Sequence, residues 1–420
     1  STGCGVLNEV KHVLGYRCTV CGQEYPFAPE LMTCPACGEK GILDILYDYP
    51  LIKKSFSRET LKADADNSMW RYKALMPLKG SGLSDFLRIG WTPLYASRTL
   101  GPALGLKKLY IKDDGINPTA SLKDRASGVA VAKAIELGFD TIACSSTGNA
   151  ASSLAGNAAR MGLKTVIFVP ERAPGGKVAQ LLIFGANVIS VRGDYRQTFE
   201  LSRAAIEKWG FYNRNAGINP ILTEGKKTVA LEIAEQLNWQ PTDWVAVSVG
   251  DGCTIGGVYN GFYDLLQLGM IERIPKILGV QSTGCCPFVD AAARGGALRP
   301  APENTLADSI AVGVPRNPKK AQRAVENSGG SWIAVTDEEI LAAMSLLGRS
   351  EGVFGEPAGV TATAGLQRAL LEGVIRPDET ATVICTGSGL KDVKNAMAAA
   401  GEAFRCEPDI RALEASGRIE

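Results

Sequence analysis

The chain repeats one local pattern: a short apolar run, a turn of glycine and polar residues, and then an amphipathic segment with helical spacing. The apolar runs lie at residues 141–146, 164–170, 187–192, 244–249, 276–282 and 381–386. Segments such as 199–209 and 228–237 separate them, and glycine often follows such a segment, as at Gly210. Strands that alternate with helices pair in parallel, with helices on both faces of the sheet. The sequence therefore predicts an α/β fold built on open parallel sheets.

Composition and charge exclude several classes of protein. The 420 residues are enough for two or three domains, and the net charge of +1 gives no electrostatic basis for binding nucleic acid or a membrane surface. Glycine or charge interrupts the longest apolar runs, so no membrane span is expected. The one histidine, His12, excludes a Ser-His-Asp triad in the body of the chain. Eleven cysteines without a secretory signal pattern favour a cytoplasmic location.

Four cysteines near the N-terminus form a paired Cys-x-x-Cys pattern. They are Cys18, Cys21, Cys34 and Cys37. A glycine follows the second cysteine of each pair (Gly22 and Gly38) and allows a tight turn. Four thiolates at this spacing suit a closed, tetrahedral, structural zinc site. The pattern predicts a zinc-ribbon-like module at residues 1–48; a ribbon without metal and a pair of disulfides are the alternatives.

A single lysine stands out in the stretch 117–125, which reads Asn-Pro-Thr-Ala-Ser-Leu-Lys-Asp-Arg. Lys123 lies just inside the start of a predicted helix, and small residues at Ala126, Gly128 and Ala130 give that helix a face for tight packing. A lysine amine forms a Schiff base with a carbonyl cofactor, and burial lowers its pKa enough to make it nucleophilic. Most lysines at helix starts are solvated surface residues, so this interpretation depends on the other turns.

Three further turns each follow a predicted strand and precede a predicted helix. They occupy residues 145–150, 250–257 and 386–392. Backbone amides at a helix N-terminus bind anions such as phosphate or carboxylate, and glycines let the backbone close around them. Because functional loops gather at the carboxyl ends of parallel strands, these turns and Lys123 are predicted to form one site.

With these motifs the sequence resembles the threonine synthase family, in the tryptophan-synthase-β group of fold type II pyridoxal-phosphate (PLP) enzymes. The resemblance runs from about Thr92 to Asp392. It is carried by Asn-Pro-Thr-x-Ser-x-Lys-Asp-Arg at 117–125, Ser-Thr-Gly-Asn at 146–149, Asn-Pro-x-x-x-Glu-Gly-x-Lys-Thr at 219–228, Glu-Gly-Val-Phe-x-Glu-Pro-Ala at 351–358 and Thr-Gly-x-Gly-Leu-Lys-Asp at 386–392.

The resemblance implies a role for each motif. Lys123 would form the Schiff base with PLP and then act as the general base. Asn149 would bind the phenolic oxygen of the cofactor, and Thr386 would face its pyridine nitrogen. The cofactor phosphate would lie against Gly250, Asp251, Gly252, Cys253 and Thr254. The substrate would contact Ser146, Thr147 and Gly148 through its carboxylate, and Lys227 through its phosphate.

The resemblance also implies the organisation of the chain. Residues 49–125 would form an arm and the first part of a large PLP domain, and residues 223–420 the remainder of that domain. Residues 126–222 would form a small, mobile α/β domain that closes over the site and excludes water. Family members are usually homodimers, so a homodimer is expected.

The family activity is the conversion of O-phospho-L-homoserine and water to L-threonine and phosphate, but the chain departs from the family at the substrate phosphate. Leu222 stands where the family usually has an arginine, residues 309–313 lack a second basic position, and Asp251 lies in the cofactor-phosphate loop. An apolar side chain cannot give a phosphate the paired hydrogen bonds of arginine. Nearby basic candidates to replace it are Arg172, Lys177, Lys226 and Arg316.

The departure keeps a second activity open on the same scaffold. This is PLP-dependent β-elimination or β-replacement of an unphosphorylated amino acid, like that of a threonine or serine ammonia-lyase or a β-substituted alanine synthase. Other classes are disfavoured. A dinucleotide-binding oxidoreductase would need an acid about 20 residues after the glycine turn, where Gln281 and Ser282 stand. The near-zero charge argues against a nucleic-acid-binding adaptor.

Overall fold

A computed structural model of the chain describes residues 10–215 and 217–419. The first nine residues of the predicted 1–48 module, residue 216 of the predicted small domain and the last residue of the chain lie outside this description. The strands are β1 (Val13–Cys18), β2 (Glu24–Pro26), β3 (Leu43–Tyr47), β4 (Leu94–Ala96), β5 (Lys108–Asp113), β6 (Thr141–Ser145), β7 (Lys164–Pro170), β8 (Asn187–Val191), β9 (Tyr212–Asn213), β10 (Trp244–Ser248), β11 (Lys276–Ser282), β12 (Ser331–Val335) and β13 (Thr380–Cys385).

Helices connect these strands throughout. The α-helices are α1 (Tyr49–Ile52), α2 (Arg58–Ala63), α3 (Leu100–Leu104), α4 (Lys123–Glu136), α5 (Asn149–Met161), α6 (Gly175–Ile183), α7 (Tyr195–Trp209), α8 (Ile221–Lys226), α9 (Thr228–Gln236), α10 (Cys253–Gln267), α11 (Pro287–Arg294), α12 (Pro318–Asn327), α13 (Asp337–Glu351), α14 (Pro357–Leu371), α15 (Val393–Ala400) and α16 (Ile410–Ala415). Short 3-10 helices lie at Gly38–Lys40, Met69–Leu75, Leu83–Asp85, Asp114–Ile116, Asp308–Ile310 and Gly389–Lys391. Within the described ranges, no helix is both long and apolar enough to cross a membrane.

The strands form two mainly parallel sheets and one small antiparallel sheet. The larger sheet has the order β12-β11-β10-β13-β5-β4, and only its edge strand β4 runs antiparallel. The smaller sheet has the order β8-β7-β6-β9 and is parallel throughout. Near the N-terminus, β2, β1 and β3 pair antiparallel. The predicted α/β architecture with parallel sheets is confirmed, and every apolar run named above forms a strand.

Tight backbone packing sets the position of α4, the helix that begins at Lys123. A side chain at Gly128 would meet Ile89 Cδ1 at 2.6 Å and Met69 Cε at 2.8 Å. A side chain at Gly225 in α8 would meet the carbonyl oxygen of Arg125 at 2.2 Å. The small residues predicted to line α4 therefore let it lie directly against α8 and the N-terminal arm.

A buried ionic network fixes the start of the same helix. Arg125 donates to both carboxylate oxygens of Asp114, at 2.8 and 2.9 Å, and to both of Glu232. Lys112 Nζ lies 2.9 Å from Glu232, and the four side chains are fully buried. Burial opposes ionisation of Glu232, but the charge of Arg125 lowers the pKa of Glu232 to about 2. The network joins β5, α4 and α9 through charges that are each paired.

Removing the cation at the centre of this network is expected to destabilise the protein strongly. Arg125→Met leaves Asp114 and Glu232 buried without their main partner, which costs about 3–5 kcal/mol of unfolding free energy. The matched control is Arg196→Met, since the exposed Arg196–Glu200 pair at 3.2 Å contributes less than about 1 kcal/mol. Urea unfolding followed by tryptophan fluorescence measures both, and equal stabilities for the two variants would contradict the network's role.

Candidate active site

A cavity of about 630 Å³ lies where the predicted turns come together. The carboxyl ends of β6, β10 and β13 and the start of α4 line it, as expected for a site in an open parallel-sheet protein. Most of the residues proposed from the sequence lie on its wall: Lys123, Ser146, Thr147, Gly148, Asn149, Gly250, Asp251, Gly252, Thr254 and Thr386. Two proposed residues, Cys253 and Lys227, lie elsewhere.

The turn before Lys123 is held from both sides. Ala120 has a φ of +68°, a left-handed conformation that is rare for a residue with a side chain. Its carbonyl accepts the N–H of Ser388 at 2.9 Å, and Leu122 N–H donates to the carbonyl of Thr386 at 2.8 Å. These backbone bonds set Lys123 opposite the turn that follows β13.

Asp124 anchors this turn from inside the protein. Its carboxylate accepts the backbone N–H of Thr119 at 2.8 Å and the hydroxyl of Thr119 at 2.7 Å. The amide of Asn157 in α5 donates to it at 2.8 Å. Asp124 therefore ties the turn to α5, while the adjacent residue, Lys123, faces the cavity.

The surroundings of the Lys123 amine lower its pKa. Burial, and then the nearby positive charge of Lys226, lower the pKa of Lys123 to about 7. An amine with this pKa is substantially neutral at physiological pH, which is the form that attacks a carbonyl or accepts a proton. Lys226 is fully buried, and its Nζ has no hydrogen-bond partner among the described residues.

Asn149 forms a hydrogen bond that the sequence did not indicate. Its amide nitrogen donates to Glu356 Oε1 at 2.6 Å. Glu356 is buried, and burial raises the pKa of this carboxyl to about 7. A side chain at Gly387 would meet Glu356 Oε1 at 2.0 Å, so the glycine lets the carboxylate lie directly against this turn. Glu356 thus connects the turn that begins α5 with the turn that follows β13.

The 250–254 loop has no room for further side chains. Gly252 has a φ of +95°, and a side chain there would meet the carbonyl oxygen of Asn317 at 2.6 Å. A side chain at Gly250 would meet the carbonyl oxygen of Ser309 at 2.9 Å. Both glycines are therefore required for the main chain of this loop to approach the segments beside it.

Asp251 and Cys253 have local structural contacts. Asp251 Oδ1 accepts the backbone N–H of Cys253 at 2.8 Å, at the start of α10. Burial opposes ionisation of Asp251, but the charges of Lys226 and Lys123 lower the pKa of its carboxyl. The thiol of Cys253 is buried 3.4 Å from Thr223 Oγ1, so only the backbone of Cys253 belongs to the loop.

The structure does not bring Lys227 to the cavity. Its Nζ lies 2.9 Å from Glu224 and 2.8 Å from Asp264, and the side chain is fully buried. These two carboxylates satisfy its charge, so Lys227 is held as a structural ion pair at the junction of α8 and α9. Leu222 is likewise fully buried in the hydrophobic core and offers nothing to the cavity.

Sequence analysis missed one cation on the cavity wall. Arg214 follows the two-residue strand β9, lines the cavity and is only 1% exposed. Of the basic candidates considered from the sequence, Lys177 and Arg316 also line the cavity. A two-residue strand is too short to show an apolar pattern, and so the position of Arg214 at a strand end could not be recognised.

The four N-terminal cysteines lie together outside this cavity. Their sulfur atoms are all within 4.8 Å of one another, and Cys21 Sγ is 3.8 Å from Cys34 Sγ. A tetrahedral site with zinc–sulfur bonds of 2.3 Å requires sulfur atoms about 3.8 Å apart. Gly22 and Gly38 have φ values of +74° and +67°, as the tight turns after each pair demand. The cluster has the geometry of a metal site.

Comparison with solved structures identifies the fold. Threonine deaminase isoform 2 from Solanum lycopersicum, in its processed form, aligns with a TM-score of 0.65 at 21% identity, over 81% of this chain and 95% of that chain. Diaminopropionate ammonia lyase from Escherichia coli aligns with a TM-score of 0.65 at 21% identity, over 75% of this chain and 88% of that chain.

Sequence comparison identifies the family. Residues 86–387 match the family model described as pyridoxal-phosphate dependent enzyme. Threonine synthase from Methanocaldococcus jannaschii is 41% identical over 402 residues, 95% of this chain and 98% of the relative. Threonine synthase from Methanosarcina acetivorans is 40% identical over 400 residues, 94% of this chain and 97% of the relative. The chain belongs to the threonine synthase family of pyridoxal-phosphate-dependent enzymes.

Proposed function

We propose that the protein is a threonine synthase, which converts O-phospho-L-homoserine and water to L-threonine and phosphate with PLP bound at Lys123. The observation that carries this proposal is the near-neutral pKa of the Lys123 amine, in a cavity lined by three predicted turns. Similarity to curated threonine synthases over nearly the whole chain supports the same activity.

The residues present fit PLP on structural grounds. The cofactor carries an aldehyde, for which the cavity offers the amine of Lys123. It also carries a phosphate, for which the cavity offers the 250–254 loop. Side chains at Gly250 and Gly252 of this loop would collide with the main chain of neighbouring segments. The buried cation Lys226 stands near this loop without a partner among the residues described. When bound, PLP supplies an electron sink for negative charge that develops on the substrate.

We assign the cofactor contacts accordingly. The amides of the 250–254 loop, at the start of α10, would hold its phosphate. Asn149 would contact the phenolic oxygen, with its amide oriented by Glu356. Thr386 would face the pyridine nitrogen. Because a hydroxyl protonates that nitrogen less fully than an aspartate does, this choice suits elimination and replacement over transamination.

The substrate carboxylate is assigned to the start of α5. No side chain caps this helix at Gly148, so its first backbone amides remain available for an anion. Ser146 Oγ accepts the N–H of Gly148 at 3.1 Å and shapes the turn. The substrate would thus be held with its α-carbon near Lys123, whose neutral amine removes and returns protons.

Domain closure is a further part of the proposal. We assign residues 126–222, which contain the smaller sheet, to a mobile domain that closes on the large PLP domain of 49–125 and 223–420. Lys391 Nζ contacts Ser152 Oγ at 3.1 Å and Gln180 Oε1 at 2.8 Å, linking the turn after β13 to α5 and α6. Closure would exclude water from the cavity.

Three less specific features complete the proposal. The Cys4 cluster in the 1–48 module would hold a structural zinc ion, because four thiolates leave no open coordination position for chemistry. A homodimer is proposed from the family resemblance, and a cytoplasmic location from the same resemblance and the high cysteine content.

One observation favours a second activity. Leu222, which replaces the family arginine, is packed in the core and presents no donor to a substrate phosphate. β-Elimination or β-replacement of an unphosphorylated amino acid remains the alternative on this ground. Both activities use Lys123 and the same cofactor contacts, so the substrate distinguishes them.

The activity is tested with PLP-loaded protein and O-phospho-L-homoserine. Threonine and inorganic phosphate are expected in equal amounts. Lys123→Ala is expected to lower the rate by about a thousandfold or more, because it removes the group that handles the proton, and to abolish the visible absorbance of lysine-bound cofactor. Lys164→Ala, at an exposed site, is the control. Cofactor binding without turnover, together with turnover of threonine or serine, would favour the alternative.

The Lys123 amine is expected to titrate near pH 7 in cofactor-free protein. Burial disfavours the charged form, so the acetylation rate of Lys123 should level off above about pH 7 instead of rising through the ordinary lysine range near 10. Mass spectrometry measures this rate, with exposed Lys164 as an internal reference. Lys226→Met should move the midpoint for Lys123 upward, because a nearby positive charge is removed. A midpoint near 10 would contradict the assignment.

The zinc proposal is tested by elemental analysis. We expect about one zinc ion per chain, and its loss in Cys21→Ser because three thiolates hold the ion less tightly than four. Cys406→Ser is the matched control, since Cys21 and Cys406 are both exposed. Unchanged zinc in Cys21→Ser, or a metal-free protein with two disulfides by thiol titration, would contradict the prediction.

A further inference from the structure

A buried arginine on the cavity wall has hydrogen-bond donors that the described residues leave unused. Arg214 is 1% exposed, and its Nε donates to Ser127 Oγ at 3.0 Å. Its two terminal nitrogens have no hydrogen-bond partner among the described residues. Arginine keeps its proton under all physiological conditions, and buried charges in proteins are normally paired. The two terminal nitrogens of this guanidinium are therefore suited to an acceptor from outside the described residues.

Two more unpartnered groups lie at the same strand ends. Asn215 Oδ1 accepts the backbone N–H of Ser145 at 2.9 Å, which fixes the orientation of the amide. Asn215 Nδ2 and Ser145 Oγ then have no hydrogen-bond partner within the described part of the chain, although each residue is only 5% exposed. Both residues line the cavity, as Arg214 does. The three side chains are a set of donors suited to an oxyanion.

The set lies close to the reactive lysine. Ser127, which holds Arg214, is one helical turn after Lys123 in α4, so the two share a face of that helix. Ser127 Oγ also lies 2.6 Å from Ser153 Oγ in α5, and this contact fixes the position of the hydroxyl. Arg214 is thus positioned on the Lys123 side of α4 by a rigid contact between two helices.

Two other anion positions lie on the wall of the same cavity. The 250–254 loop follows β10 of the larger sheet, whereas Ser145 ends β6 and Arg214 follows β9 of the smaller sheet. The free amides for a carboxylate are those at the start of α5. The acid near Arg214 is Asp251, whose Oδ1 already accepts the N–H of Cys253. Asp251 does not hydrogen-bond to the terminal nitrogens of Arg214, so these nitrogens are free to bind a further anionic group.

We propose that Arg214, Asn215 and Ser145 form the subsite for the anionic group at the far end of the substrate, in place of the family arginine that Leu222 replaces. The proposal rests on the proposed function and specifies its substrate class: amino acids that carry a phosphoryl group beyond the β-carbon. Two terminal nitrogens of one guanidinium bind two phosphate oxygens side by side, and the amide and hydroxyl donate to the remaining oxygen.

The test measures binding of inorganic phosphate to the PLP-loaded protein by calorimetry, so that the cofactor-phosphate loop is already filled. Arg214→Met is expected to weaken phosphate binding tenfold or more, and to raise KM for O-phospho-L-homoserine far more than it lowers kcat. Binding of L-homoserine, which lacks the phosphate, should change less than twofold. Arg214→Lys should fall between wild type and Arg214→Met, because it keeps the charge and loses the paired geometry.

Two controls keep the result interpretable. The visible absorbance of the bound cofactor verifies that each variant is folded around its site. Arg196→Met is the matched control, because Arg196 is an exposed arginine that pairs with Glu200 and does not line the cavity. Its effect on phosphate binding should be less than twofold.

The outcomes separate this inference from the proposed activity. If wild type makes threonine and Arg214→Met does so with the same KM, the activity stands and the subsite is refuted. If wild type makes no threonine but binds phosphate through Arg214, the activity fails and the subsite stands. Absence of phosphate binding in wild type, or equal losses in Arg214→Met and Arg196→Met, would overturn the subsite.

Discussion

The arrangement of the site depends on the buried pairing of Arg125 with Asp114 and Glu232. Arg125 is two residues after Lys123, and its guanidinium is bound on both sides by carboxylates from separate elements. A fully buried charge tolerates little displacement, because any movement leaves it unpaired in a medium of low dielectric constant. The first turn of α4 is therefore fixed relative to β5 and α9. The position of the Lys123 amine is therefore fixed as well, and so are the positions of Ser127 and of Arg214, which Ser127 binds.

The cavity combines this rigidity with two nearby buried cations. Arg214 and Lys226 are buried without hydrogen-bonded partners in the described residues, and Asp251 is the acid near both. The repulsion from Lys226 adds to burial in keeping Lys123 largely neutral. Bound anions would pair with these two cations, so a phosphate-bearing cofactor and an anionic substrate would stabilise the site that binds them. The positive charge that helps to lower the pKa of Lys123 thus also favours binding of the anionic cofactor and substrate.

Local patterns in the sequence predict part of the fold and of the site. Six apolar runs of six or seven residues correspond to β6, β7, β8, β10, β11 and β13, and turns after three of them line the cavity. The cysteine cluster could be predicted because the spacing of the cysteines in the sequence largely determines the geometry of the cluster. Lys227 matches a family motif, but the motif does not determine where its side chain lies. That position depends on Glu224, one turn earlier, and on Asp264, 37 residues later in α10. Such long-range pairing cannot be read from a motif. Arg214 was missed because β9 is two residues long.

The positions of Leu222 and Arg214 together explain how this chain can have a leucine where the family usually has an arginine. Leu222 belongs to α8, which packs against α4 and α10, and its side chain completes the hydrophobic core there. Arg214 belongs instead to the strand ends of the smaller sheet, beside the turn assigned to the substrate carboxylate. Both charged ends of the substrate would then contact one sheet, and the cofactor phosphate the other. The helix α4 carries Lys123 and contacts Arg214 through Ser127, so it links the cofactor site to the proposed substrate site.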